Sequence, residues 1–139
     1  NAGYTAGIRQ ICDAGLDTMR VTIFSCRQDN YMAYHRPLNY TFKDVEKSVT
    51  YTKDKGVKVC LNLLTFPGFT DREDEIEELL YFLEGNRIDM VQLRNLNIDP
   101  DYLNSNFSGD SGIGILNFIK LLKEELPGLQ IKSYSHPLD

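Results

Sequence analysis

Seven residues of this chain would supply a binding chemistry if the fold gathers them: Ser25, Arg27, Asn62, Thr65, Arg94, Asn95 and Asn97. They offer hydroxyls, amides and guanidinium groups, which suit a ribose, a carboxylate or a polar heterocycle. Other chemistries are poorly supplied. Cys12, Cys26 and Cys60 are too widely spaced for a metal motif, and three thiols make no disulfide framework. We read them as free thiols, Cys60 as a small buried one. The acidic run Asp71 to Glu78 reads as a solvated helix face, not a metal site. Lys58 and Lys132 are the candidate Schiff-base lysines, but Lys58 falls at the amino-terminal end of its strand, and no carboxylate pair sits at the strand ends. His35 reads as a loop histidine and His136 as part of a tail over 135–139. No catalytic residue and no metal ligand is assigned.

The elements that must position these residues are βα units, and the stretch from Val57 to Leu83 shows one most openly. Val57, Val59, Leu61 and Leu63 alternate with Lys58, Cys60 and Asn62, the two-residue period of a strand. After Pro67-Gly68, Ile76, Leu79, Leu80 and Leu83 recur at helical spacing. Thr70 is the expected N-cap, with Glu73 at the capping-box position and more acid in the first turn.

The same unit recurs along the chain. A helix is expected over Tyr4 to Ala14, with Ile8, Ile11 and Cys12 on one face, and a strand over Thr18 to Phe24. Ser25 to Tyr40 reads as a long polar loop of the functional kind. Thr41 caps a helix from Phe42 to Lys55 that Gly56 closes. Ile88 to Arg94 is the next strand, followed by a second long loop over 95–109. Asp110 or Ser111 starts a helix with Ile115, Leu116, Ile119, Leu122 and Leu126 inward, and Leu129 to Tyr134 is a last strand.

Sorting the strands by parity gives two unlike faces. Met19, Val21, Ile23, Val59, Leu61, Leu63, Val91, Leu93 and Ile131 form an apolar face, whereas Arg20, Thr22, Lys58, Cys60, Asn62, Gln92, Arg94, Gln130 and Lys132 form a polar one. A doubly wound sheet is apolar on both faces because helices cover both. The expectation is therefore an α/β fold of parallel βα repeats, a partial (half) TIM-like barrel of about four strands with its helices on the outer face. A single-layer sheet with one solvated face is the alternative. Ligands in such folds sit at the carboxyl ends of the strands.

The chain has 139 residues, one domain long, and 42% of them are hydrophobic. A net charge of −5 without a basic run excludes a nucleic-acid surface, and no apolar run approaches a membrane span. The thiols suit a reducing, cytoplasmic setting. The chain opens on Asn-Ala instead of Met, so we read it as an excised piece of a longer protein.

At the loops the sequence resembles the second half of the radical S-adenosylmethionine (radical SAM) superfamily barrel. The strand Arg20-Val21-Thr22-Ile23-Phe24-Ser25 resembles the fourth core strand, whose terminal hydroxyl holds the ribose of S-adenosylmethionine. His35-Arg36 resembles the arginine that pairs with the methionyl carboxylate. Gly56-Val57-Lys58-Val59 through Phe66-Pro67-Gly68-Phe69-Thr70-Asp71, with Glu73 and Glu75, is similar to the fifth strand and its acidic helix. Ile88-Asp89-Met90-Val91-Gln92-Leu93-Arg94 is similar to the sixth, near the adenine. The resemblance implies that Ser25, Arg36, Asn62, Arg94 and Asn95 contact the cofactor. It implies a longer protein that cleaves S-adenosylmethionine at a [4Fe–4S] cluster to a 5′-deoxyadenosyl radical and abstracts hydrogen from a small-molecule or peptide substrate. The C-x3-C-x2-C cluster motif of the superfamily is absent here, so neither cofactor is expected to bind this piece alone. A non-redox lyase or aldolase barrel and a non-catalytic interaction domain are the alternatives. Two open sheet edges predict self-association.

Overall fold

Four strands alternate with helices in the computed structural model, which describes residues 1–96, 98–107 and 112–133. The elements are α1 (Thr5–Asp13), β1 (Thr18–Ile23), α2 (Gln28–His35), α3 (Phe42–Asp54), β2 (Lys58–Thr65), α4 (Glu73–Gly85), β3 (Met90–Asn95), α5 (Pro100–Asn106), α6 (Ile115–Glu125) and β4 (Gln130–Ser133). The strands form one parallel sheet in the order β1-β2-β3-β4. Register aligns Val21 with Leu61, Val91 and Ile131, and aligns Thr22 with Asn62, Gln92 and Lys132. A one-residue slip would exchange these two rows, so burial of the first fixes the pairing.

The expected partition of the faces holds. Val21, Ile23, Val59, Leu61, Leu63 and Val91 are buried against Val45 and Val49 of α3, Ile76, Leu79, Phe82 and Leu83 of α4, and Phe118 and Leu122 of α6. Each such side chain contributes roughly 1.5–3 kcal/mol when fully removed from water. On the other face Arg20, Lys58, Gln130 and Lys132 stay exposed. This is an α/β fold with the one-sided cover of a partial barrel.

Both long loops of the sequence reading hold a helix. The residues of α2 carry no apolar stripe, and only Tyr31 among them is buried. Asp99 caps α5 through the Asp101 N–H at 2.9 Å, ahead of Pro100. The expected cap of α4 is also displaced. Thr70 Oγ1 instead accepts the Phe66 N–H at 2.8 Å, closing the turn around Pro67-Gly68, and the helix begins at Glu73 behind Arg72. Helix α6 begins at Ile115 behind Gly114, and Asp110 and Ser111 lie outside the described residues, as do Tyr134 and the 135–139 tail. Leu116 and Ile11, expected inward, are exposed. The capping box of α3 forms as expected, with Asp44 Oδ2 accepting the Thr41 N–H at 2.9 Å.

One buried carboxylate ties α6 to the β2–α4 turn. Asp71 accepts the Gly68 N–H at 2.6 Å on Oδ1 and the Gly114 N–H at 2.6 Å on Oδ2, while its carbonyl accepts the Ile113 N–H at 3.0 Å. The backbone of Gly112 lies so close that a Cβ there would fall on the carboxylate. Asp71→Ala should therefore lower unfolding stability by roughly 2–4 kcal/mol in urea, two charge-assisted bonds being lost and two donors left bare. Gly112→Ala should also destabilise, and Asp29→Ala on exposed α2 should stay within about 0.5 kcal/mol of the parent sequence.

Candidate functional site

At the carboxyl end of β1 the chain turns through Ser25 into α2, and the turn is fastened to the first helical turn of α4. Ser25 Oγ donates to Glu75 Oε2 at 2.6 Å and accepts the Arg27 N–H at 3.0 Å. Asn30 Nδ2 donates to the other oxygen, Glu75 Oε1, at 2.5 Å. Arg27 pairs with Asp74, whose carboxylate also receives Arg72 and the Glu75 N–H. Ser25 and Glu75 are both buried. Burial raises the Glu75 pKa, while the bonds from Ser25 and Asn30 act in the opposite sense. The acidic run is thus not the uniformly solvated face expected. Asp71 and Glu75 are internal fasteners, and Glu73, Glu77 and Glu78 alone of its glutamates face water.

The polar face carries the amides. Asn62 stands at mid-sheet between Thr22 and Gln92, and its buried Oδ1 has no hydrogen-bond partner. A buried carbonyl oxygen without a donor is costly. Gln92 is buried beside it and accepts from Arg94 at 3.4 Å. Arg94 aligns with Leu64, one step nearer the carboxyl ends. Thr65 Oγ1 returns to its own strand at Leu63 O, and Asn95 is exposed at the end of β3. Asn97 lies outside the described residues. Arg36 is exposed in the left-handed conformation (φ 45°) after α2 and donates to Tyr102 of α5 at 3.0 Å. The structure thus sets Asn62 with Arg94 on the inner face and Ser25, Arg36 and Asn95 around the carboxyl rim.

The sequence reading missed an aromatic cluster at this end. Phe24 stacks on Tyr34 (4.2 Å between ring centres) and Phe69 (4.9 Å) and meets Phe107 edge-on at 4.9 Å. Leu103 and Phe107 bring α5 and its exit onto this cluster, with Leu64, Phe66 and Leu96 around it. Phe24 follows Thr22 in the parity of the polar face, so that face turns aromatic toward its carboxyl end. The signal was present in Phe24 and Phe66, each immediately after a strand, with Phe69 in the turn that follows.

His35 belongs to the scaffold. Its Nε2 accepts the Phe24 N–H at 3.1 Å, and its ring stacks on Tyr31 at 4.2 Å. Burial lowers its pKa to about 4. A ring that must accept at Nε2 is not free to take a substrate proton there. The three cysteines are buried free thiols, and burial raises the pKa of Cys26 and Cys60. Among the described residues no three His, Cys, Asp or Glu side chains gather as a metal site, and no helix is long and apolar enough to cross a membrane.

With this geometry in hand, the chain compares with known proteins through its fold. The sequence matches no protein-family model and no curated protein. A radical SAM methyltransferase from Sphaerobacter thermophilus superposes with a TM-score of 0.67 at 17% identity, over 98% of this chain and 40% of that one. SuiB from Streptococcus suis superposes with a TM-score of 0.58 at 12% identity, over 85% of this chain and 27% of SuiB. The same protein bound to S-adenosylmethionine gives 0.51 at 15% identity. The chain spans less than half the length of these structures, and at such identities the likeness is one of fold.

The His35 contact generates a pH dependence. The folded state holds the neutral ring, so the stability contributed there is complete above pH 6.5 and is lost as pH falls from 6.5 toward about 4. Allowing for solvent screening of a half-buried ring, the loss is on the order of 1–2 kcal/mol. Urea midpoints measured across that interval should fall more steeply for the parent sequence than for His35→Gln, which retains an acceptor and does not titrate.

Proposed function

We propose that this chain is the later half of a radical SAM barrel and supplies one wall of its S-adenosylmethionine and substrate site. The observation that carries the reading is the extent of the superposition, 98% of this chain on a radical SAM methyltransferase. The open, polar inner face with its unpartnered Asn62 Oδ1 fits a ligand that brings a donor, as the amino group of an adenine does. When bound, S-adenosylmethionine and a [4Fe–4S] cluster supply a radical for hydrogen abstraction, and the cluster's thiolate ligands belong to a part of the longer protein outside these residues.

In this reading the chain's own residues bind and orient. Asn62 accepts from the ligand at mid-sheet, and Arg94, held toward Gln92, brings positive charge one step nearer the carboxyl end. Ser25 keeps one acceptor position beyond its bonds to Glu75 and Arg27, which suits a ribose hydroxyl. Arg36 retains donors beside Tyr102 for a carboxylate, and Asn95 adds an amide at the rim. The aromatic cluster around Phe24 keeps water from the floor of this end. The edge strands β1 and β4 pair with the remainder of the barrel or, in the isolated chain, with another copy. The free thiols suit a cytoplasmic setting.

The test uses the full natural protein that carries these residues, purified without oxygen. About four irons per chain and reductant-dependent 5′-deoxyadenosine are expected. Asn62→Leu should weaken S-adenosylmethionine binding about tenfold, the effect of losing one bond to a buried acceptor. Absence of iron and of 5′-deoxyadenosine would overturn the reading in favour of a non-redox barrel.

A further inference from the structure

At the opposite, amino-terminal end of the polar face the sheet holds a cavity of 670 Å³, lined by Arg20, Lys58, Cys60, Arg87, Met90 and Gln130 among others. That volume is in the range of small-molecule sites. Its electrostatics are one-sided. Asp89 Oδ2 is occupied by Lys53 Nζ at 2.6 Å and by the Val59 N–H at 2.7 Å, and Arg87 is paired with Asp54 at 3.2 Å. Among the described residues Arg20 and Lys58 have no ion pair, and both are exposed. Asp89 is the one carboxylate among the described lining residues, and Lys58 helps to hold its pKa down, but in a chain of net charge −5 the cations Arg20, Lys58 and Arg87 outnumber it at this mouth.

Register makes the two cations a pair. Lys58 aligns with Thr18 and Arg20 with Cys60, so they stand on neighbouring strands two residues apart along the chain direction. Strand spacing and rise place their Cα atoms about 8 Å from each other, within reach of one anion for side chains of that length. The Arg20 row continues through Cys60 and Met90 to Gln130. The cavity therefore has a cationic side, a floor of sulfur and methylene groups and an amide on the far strand. The thiol of Cys60 senses the charge, since Arg20, Arg94 and Lys132 oppose the rise that burial imposes on its pKa.

We infer that this mouth binds a small organic anion, its phosphate or carboxylate held between Arg20 and Lys58 and its apolar body laid on Cys60 and Met90. The site lies away from the carboxyl-end residues assigned above and stands or falls independently of them.

The experiment is an amide chemical-shift titration of the 15N-labelled chain with phenyl phosphate, benzoate and neutral benzyl alcohol. One of the two anions should shift the amides of Thr18 to Thr22, Lys58 to Cys60 and Gly128 to Gln130, and the tighter binder identifies the group. Arg20→Gln and Lys58→Gln should each weaken binding at least fivefold, and Lys120→Gln on α6 should leave it unchanged. The same spectra report whether each variant is folded, and Lys58→Gln, exposed at the first position of β2, carries the test if Arg20→Gln is not. Equal binding of benzyl alcohol, shifts scattered over other lysines, or parent-like affinity in folded Lys58→Gln would overturn the proposal.

Discussion

Everything in this molecule follows from where its helices are allowed to lie. Parallel strands need long crossovers, and here α1, α3, α4 and α6 carry the apolar stripes that match one face of the sheet. Val21, Leu61 and Val91 are consumed by that packing, and alternation sends Thr22, Asn62 and Gln92 to the other side. Polar groups on the inner face are thus the geometric counterpart of the core. A substitution that moved a helix to the inner face would have to bury Asn62 and Gln92 together with the cations around them, which is prohibitive without partners.

The carboxyl end shows how such a sheet is closed locally. Ser25, Asn30, Glu75, Arg27 and Asp74 join the end of β1 to the start of α4, with the acids at the helix N-terminus where the dipole favours them. His35 adds a second tie by taking the Phe24 N–H, which positions the ring that organises the aromatic cluster. Scaffold and carboxyl-end rim are therefore interlocked, and Ser25 and Arg36 stand on segments held by buried contacts.

The fold was legible because its signals are periodic. Alternating Val, Ile and Leu marked β1, β2 and β3, and Thr41 with Asp44 marked the start of α3. Helices α2 and α5 escaped because neither carries a stripe; α2 is held by Tyr31, Tyr34 and His35 and α5 by Leu103, with Phe107 at its exit, through contacts to other elements. The same reason hid Asp71 and Glu75. In sequence they are two acids among several, and only the approach of Gly114 and of Ser25 distinguishes them. Of the candidate site, Asn62 and Arg94 could be named from parity and Arg36 only from the family resemblance, whereas the unpartnered Oδ1 of Asn62 is a fact of three-dimensional packing.

The strand order in space equals the order in the chain. Each new strand therefore pairs with the one made just before it, and no strand must wait for a distant partner. Each pairing closes one βα crossover and none spans two, so the sheet asks for no contact between units that are not neighbours in the chain. During synthesis the sheet can grow vectorially, one βα unit at a time, with its newest edge exposed to the next segment emerging. A chain built this way lengthens by accretion, each strand serving in its turn as the template for the next.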